Sequence, residues 1–179
     1  MRDRGDNPGS VFFVKDMNDF NKPKEDLEHK LSMLNQARTV VLGVGNRLRG
    51  DDGVGSVIAG RLVSTSGVNV FDTETVPENY IGKALSTGCD NILFIDAMDF
   101  GEAPGYFKLQ EISHIYNGYL STHGSSLTLI IDLLGAEKPV EGYILGIQPE
   151  DTSLSEGMSD AVRDAADVIT GELVKWLNE

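Results

Sequence analysis

Asp52, Asp96 and His123 are the side chains in this sequence best suited to hold a metal ion or to move a proton. Carboxylate and neutral imidazole are common ligands of first-row divalent metals, and both act as general bases. One histidine and two aspartates make a three-ligand set with coordination positions left open, the arrangement that metal-assisted hydrolysis uses. Spacing alone does not join residues so far apart; the elements between them must.

The loop G-V-G-N-R-L-R-G-D-D-G-V-G (43–55) leaves a strand and enters a helix, the setting of phosphate-binding loops. Its details oppose that use. A dinucleotide fingerprint needs G-x-G-x-x-G, whereas the third glycine here is Gly50, two positions too late. Gly45 and Gly50 match the glycines of a P-loop, but Asp51 and Asp52 stand where a lysine and a hydroxyl should follow, and carboxylates repel phosphate. The loop suits a cation. Asp51 reads as the N-cap of the helix it precedes, and both acids favour that helix's dipole. One cap suffices, which leaves Asp52 for chemistry. Asn46 and the glycines also fit the positive φ of a sharp turn.

Asp96 ends the apolar run N-I-L-F-I-D (91–96); its alternative reading is a turn-initiating aspartate, which Asp99 shares. His29, on the polar side of a short helix, and His114, at a strand-to-loop junction, read as solvated. His123 differs, because it lies in the small polar run L-S-T-H-G-S-S-L that opens an apolar helix. Ser125 and Ser126 beside it invite comparison with serine hydrolases, but there is no G-x-S-x-G elbow, and Ser126 fits a first helical turn equally well. The single cysteine, Cys89, excludes an intrachain disulfide and a cysteine-rich metal site; it reads as a small structural hydrophobe.

The positioning elements follow from periodicity. Residues 1–22 are polar with Gly5, Pro8 and Gly9, and are expected to form a loosely attached segment with at most one short strand. From Pro23, Leu27, Leu31 and Leu34 predict a short amphipathic helix with Glu25 and Asp26 in its first turn. T-V-V-L-G-V-G (39–45) predicts a strand apolar on both faces, as in a parallel sheet. Val54, Val57, Ile58 and Leu62 give a helix, Val68 to Asp72 a strand, Glu78 to Leu85 a helix and Asn91 to Asp96 a strand. Tyr106 to Ile112 is a strand expected to pair antiparallel with the one before it, because the connecting loop is short. Leu127, Ile130, Ile131 and Leu134 give a helix, Gly142 to Ile147 a strand, and Val162, Ala166, Ile169, Leu173 and Trp176 a final amphipathic helix. The expected organisation is an N-terminal extension, 1–36, followed by a single α/β domain, 37–179. That domain is a three-layer α/β/α unit with a mostly parallel sheet of about five strands, one of them antiparallel. Ligands of such sheets bind beyond the carboxyl ends of the strands, where Asp52, Asp96 and His123 are all expected.

Composition narrows the partners. The chain has 179 residues with 28 Asp and Glu against 15 Lys and Arg, a net charge of −13, which opposes attraction to nucleic acid and to anionic membranes. The apolar run Val11 to Val14 is too short for a signal-peptide core, and no segment nears the roughly 20 apolar residues of a membrane span. A cytoplasmic protein is expected.

Five stretches then line up with one family. L-G-V-G-N-R-L-R-G-D-D-G-V-G (42–55), V-P-E-N (76–79), F-I-D-A-M-D-F-G-E-A-P-G (94–105), S-T-H-G-S-S-L (121–127) and L-G-I-Q-P-E (145–150) resemble the maturation endopeptidases of [NiFe] hydrogenases. The resemblance is to the branch that processes the large subunit of formate-hydrogenlyase-type enzymes, and it covers most of residues 39–177. It implies an enzyme that cuts a C-terminal extension from the large-subunit precursor once nickel is in place, so that the metal is the recognition signal. It implies Asp52, Asp96 and His123 as nickel-contacting and catalytic residues acting through the metal, with no separate nucleophile identified. Asn46, Glu78 and Asn79 are implied as contacts to the substrate. Nickel would be supplied by the substrate, no organic cofactor is expected, and the chain is expected to be a monomer because its partner provides the interface. The competing readings are a metal-dependent hydrolase with its own ion, a nickel checkpoint or delivery protein that does not cut, and a nucleotide-binding regulator, which the acidic first loop disfavours.

Overall fold

The computed structural model describes residues 21–66, 69–112, 120–121 and 140–179. Strand β1 (Thr39–Val44) is buried along its whole length, as its β-branched and apolar sequence requires of a central parallel strand. Helix α2 (Val54–Ser66) returns the chain to β2 (Val70–Glu74), and α3 (Glu78–Ser86) leads to β3 (Asn91–Asp99). Then come β4 (Phe107–Glu111), a two-residue β5 (Leu120–Ser121), β6 (Glu141–Ile147) and the last helix, α4 (Asp160–Leu177). The strand order is β2-β1-β3-β6-β4, with β5 pairing separately against the end of β3. All neighbours in the main sheet are parallel except β4 and β6. It is the five-stranded, mostly parallel α/β sheet expected.

Helices cover both faces. Ile58 and Leu62 of α2 share one core with Val162, Ala166, Ile169, Leu173 and Trp176 of α4. Ile81 and Ala84 of α3 share the other with Val40, Leu42, Phe94 and Met98. The first βαβ crossover therefore builds outward from β1 to one side, and the next strand, β3, lies on β1's other side. The switch point of this sheet is the crevice between the carboxyl ends of β1 and β3.

Three local expectations are corrected. The strand after the Pro104-Gly105 loop pairs with β6 and not with β3: Leu109 faces Leu145 and Phe107 faces Ile147. A short loop favours a hairpin, but β6, apolar enough to be buried on both sides, inserts between them. β3 continues three residues beyond Asp96, to Asp99, with Asp96 and Ala97 paired to Gly146 and Ile147. Helix α1 runs Asn21–Leu31, so Glu25 and Asp26 lie beyond its first turn. The helix expected from Leu127 to Leu134 and the segment 1–20 lie outside the described residues. Among the described residues no helix is long and apolar enough to cross a membrane.

Helix α1 joins the main core through Leu27 and Leu31. Lys24 reaches Glu172 of α4 at 3.4 Å, and Lys175 reaches the same carboxylate at 2.8 Å. Burial acts to raise the Glu172 carboxyl, but bonds from Lys175, Glu28 and Lys24 outweigh it and hold the group below its ordinary range. A carboxyl lowered in the folded state adds stability above its unfolded pKa of about 4.3, and that stability is lost as pH falls through the folded value. Glu172→Gln is therefore expected to lower the urea midpoint at pH 7 by the equivalent of about 1 kcal/mol, with the difference shrinking as the pH falls below the unfolded pKa.

Candidate active site

Asp51 and Asp52 are adjacent in a 3-10 turn, Gly50–Gly53, that leads directly into α2, and both are buried, at 1% and 5% exposure. Their environments are opposite. Asp51 receives the backbone amides of Glu150 (2.8 Å) and Asp151 (3.0 Å) and the Ser159 hydroxyl (2.9 Å) on Oδ2, and the Ser159 amide (2.7 Å) on Oδ1. It does not cap α2, as its position before that helix predicts. It clamps the loop between β6 and α4 onto the first loop. Asp52 takes one long bond, from the Asn46 amide to Oδ2 at 3.3 Å, and among the described residues no other donor reaches it. A buried carboxylate with so little hydrogen bonding is offset in part by the helix N-terminus beneath it, and more completely by a cation.

The glycines of this loop serve close packing. Gly45 has φ of +146°, and a Cβ there would lie 2.0 Å from the Asp52 carbonyl oxygen. Loop amides that a phosphate would need are already bonded to protein: Gly45 to the Glu74 carbonyl at 2.7 Å, Gly50 to Ser155 at 3.2 Å, Asp51 to Asp151 at 3.0 Å and Asp52 to Arg49 at 3.1 Å. This removes the nucleotide reading on geometry as well as on charge.

Asp96 is 2% exposed on β3, and its Oδ1 accepts from the Ala97 amide at 2.8 Å. The last residue of β3 that pairs with β1 is Ile95, opposite Gly43, so Asp96 is the first position past the point where the two strands part. Gly55 closes the same gap from the other side: a Cβ on it would sit 2.0 Å from the Ile95 carbonyl oxygen and 2.3 Å from that of Val44. Asp52, three residues before Gly55, and Asp96, one after Ile95, are thereby brought to the same end of the β1–β3 crevice. Of the two aspartates that share the turn-initiating reading, Asp99 makes the turn: its Oδ1 accepts the Gly101 amide at 3.0 Å. Among the described residues no three His, Cys, Asp or Glu side chains are grouped to hold a metal. His123 lies outside the described residues, as do His114, Ser125 and Ser126.

The remaining candidates lie on separate loops and helix ends. Asn46 does not take the positive φ expected of it; its side-chain oxygen instead accepts the Leu48 amide at 3.0 Å, while its own amide serves Asp52. Glu78 and Asn79 open α3, just past the carboxyl end of β2. Glu74, with φ of +50°, makes the left-handed turn that aims this segment. Glu78 Oε2 is buried with no hydrogen-bond partner among the described residues. Cys89 is buried against the Ala84 carbonyl, a structural placement. Periodicity did not single out Gln148. Its Oε1 accepts the amides of Phe100 (2.6 Å) and Glu102 (3.3 Å), while its Nε2 donates to Asp99 (3.2 Å), stapling the loop after β3 to β6. A buried amide at a strand's end, inside a stretch already shared with a family, was the available signal.

Comparison with known proteins agrees with this architecture. The family model described as HycI, hydrogenase maturation protease, matches residues 55–176. The hydrogenase 3 maturation protease of Escherichia coli K12 is 31% identical over 140 residues, 76% of this chain and 89% of that protein. The crystal structure of a [NiFe] hydrogenase maturation protease HycI from Thermococcus kodakarensis KOD1 superposes with a TM-score of 0.75 at 28% identity, covering 86% of this chain and 99% of that one. The solution structure of an endopeptidase HycI from Escherichia coli gives a TM-score of 0.66 at 28% identity, covering 77% and 90%.

Proposed function

We propose, since this chain belongs to the hydrogenase maturation protease family and is an endopeptidase, that it removes the C-terminal extension of a [NiFe]-hydrogenase large-subunit precursor after nickel has been inserted. The metal is carried by the substrate and read by the enzyme. The observation that carries this reading is the contrast at the first loop: Asp51 is saturated by four donors, whereas its buried neighbour Asp52, at the same end of the β1–β3 crevice as Asp96, holds one amide at 3.3 Å. Two buried carboxylates at one crevice favour a cation between them. His123 is the third ligand by its motif.

In this reading Asp52, Asp96 and His123 dock onto nickel that substrate thiolates already hold. Held there, the ion would supply Lewis-acid chemistry at the scissile carbonyl and its attacking water. Water oxygen bonds to the carbonyl carbon, the C–N bond breaks, and the water's proton passes to the leaving amine; a carboxylate released from the metal is suited to carry it. Incubating the metal-stripped chain with precursor, with and without nickel, and weighing the precursor by mass spectrometry tests the proposal. Cleavage confined to nickel-loaded precursor is expected. A stoichiometric ion held by the purified enzyme, together with cleavage of nickel-free precursor, replaces it with a hydrolase carrying its own metal.

Glu78 and Asn79 contact the peptide beside the metal. Glu78 Oε2, buried and unpartnered among the described residues, is an acceptor for a substrate N–H. Glu78→Gln is expected to raise KM about tenfold or more and to leave kcat within about twofold, because a charged hydrogen bond contributes about 1.5–3 kcal/mol. Steady-state cleavage rates across precursor concentrations measure this.

A further inference from the structure

Two large apolar side chains stand out from the loops flanking the crevice: Leu48 is 71% exposed and Leu154 is 83% exposed. They are neighbours. The Ser155 amide donates to the Leu48 carbonyl at 3.3 Å, the Gly50 amide to the Ser155 carbonyl at 3.2 Å, and Arg49 and Ser155 form a parallel bridge. These backbone bonds hold the two loops together at the residues that carry Leu48 and Leu154, each one position before the bridge.

The backbone beneath them is fixed. Arg49 Nε donates to the Thr152 carbonyl at 3.0 Å, and the buried Asp51 carboxylate holds Glu150, Asp151 and Ser159. Here a clamped loop keeps both in water, which is the preorganised form that an interface anchor takes. Beside them opens a cavity of about 450 Å³ lined by Glu150, Asp151 and Asp160 together with Gly50 and Ser155. Arg163 reaches Asp160 at 2.7 Å. Bonds from the Ser153 amide and hydroxyl hold the Asp151 carboxyl below its ordinary range, so it is charged at neutral pH. An apolar pair next to an anionic cavity complements a segment in which apolar side chains adjoin a lysine or arginine. The patch is continuous with the candidate site, since Gly50 and Asp51 belong to the same turn as Asp52.

We propose that Leu48, Leu154 and the acidic cavity beside them form the dock for a basic, apolar segment of the precursor, outside the reacting centre. This rests on the functional reading above. The dock sets affinity and leaves the chemistry untouched. The test uses the full chain and nickel-loaded precursor. Leu48→Ser/Leu154→Ser is expected to raise KM about tenfold or more with kcat within about twofold and an unchanged melting temperature, and Leu48→Met/Leu154→Met to restore the wild-type KM. Glu150→Gln/Asp160→Asn is expected to raise KM at low salt and to flatten the wild-type rise of KM with salt. Wild-type cleavage with unchanged KM in the serine and the charge variants overturns the dock alone. A rise in KM that the methionine variant shares in full also overturns it. Failure of the unaltered chain to cut nickel-loaded precursor overturns the functional reading and the dock with it.

Discussion

An Asp52→Asn enzyme is expected to lose processing of nickel-loaded precursor by about 10²–10³-fold or more in kcat/KM, and to melt no lower than the unaltered chain. The two halves of that expectation come from the same bonds. Asp52 is 5% exposed and holds only the Asn46 amide at 3.3 Å, so its negative charge contributes little to the fold and costs desolvation. Asparagine keeps the shape and the acceptor and removes the charge. The loss falls on the metal contact, where several kcal/mol of charge stabilisation translate into that range of rate. Time courses of precursor mass give the rate, and thermal unfolding gives the stability. A variant that unfolds early while the surviving folded fraction cuts normally would make Asp52 a structural residue.

The neighbouring substitution is expected to do the reverse. Asp51→Asn should destabilise by about 1–3 kcal/mol, lowering the melting temperature by roughly 2–12 °C, because it leaves a buried backbone donor without an acceptor. Both oxygens of Asp51 accept backbone amides: Oδ1 that of Ser159, Oδ2 those of Glu150 and Asp151. Whichever way an asparagine turns, its NH2 meets an N–H and leaves at least one buried donor unpaired. Cleavage measured well below the lowered melting point should persist in the folded fraction. Two adjacent aspartates, one substitution each, thus separate fold from chemistry.

That separation was half legible in the sequence. Two acids in place of a P-loop's lysine and hydroxyl exclude phosphate by charge alone, and the strand-loop-helix context places them at the sheet's carboxyl edge. What Asp51 does was not legible, since a local pattern offers only a local partner. Its true partners, 99 to 108 residues away, become neighbours only once β6 and α4 have been placed. Gln148 was missed for the same reason: nothing near it in the chain needs an amide, whereas the loop after β3 does. Strands whose apolar residues are continuous, β1 and β3, were placed within a few residues. The pairing of β4 was misread because loop length is a weak guide when a more apolar strand competes for the same edge. For the site, periodicity located the loops bearing Asp52 and Asp96, and the parallel pairing of β1 with β3 joins them at one crevice. His123 was singled out by its polar run ahead of an apolar helix and by its family motif.

The central claim is that side chains of this enzyme touch nickel held by its substrate, and X-ray absorption at the nickel edge reads that contact directly. With a precursor altered at the scissile bond so that the complex persists, adding the enzyme should introduce oxygen and nitrogen neighbours at about 2.0–2.2 Å into a sulfur-rich nickel shell. The oxygen contribution should shrink in Asp52→Asn or Asp96→Asn and the imidazole contribution in His123→Ala. A nickel shell identical with and without bound enzyme would contradict the account.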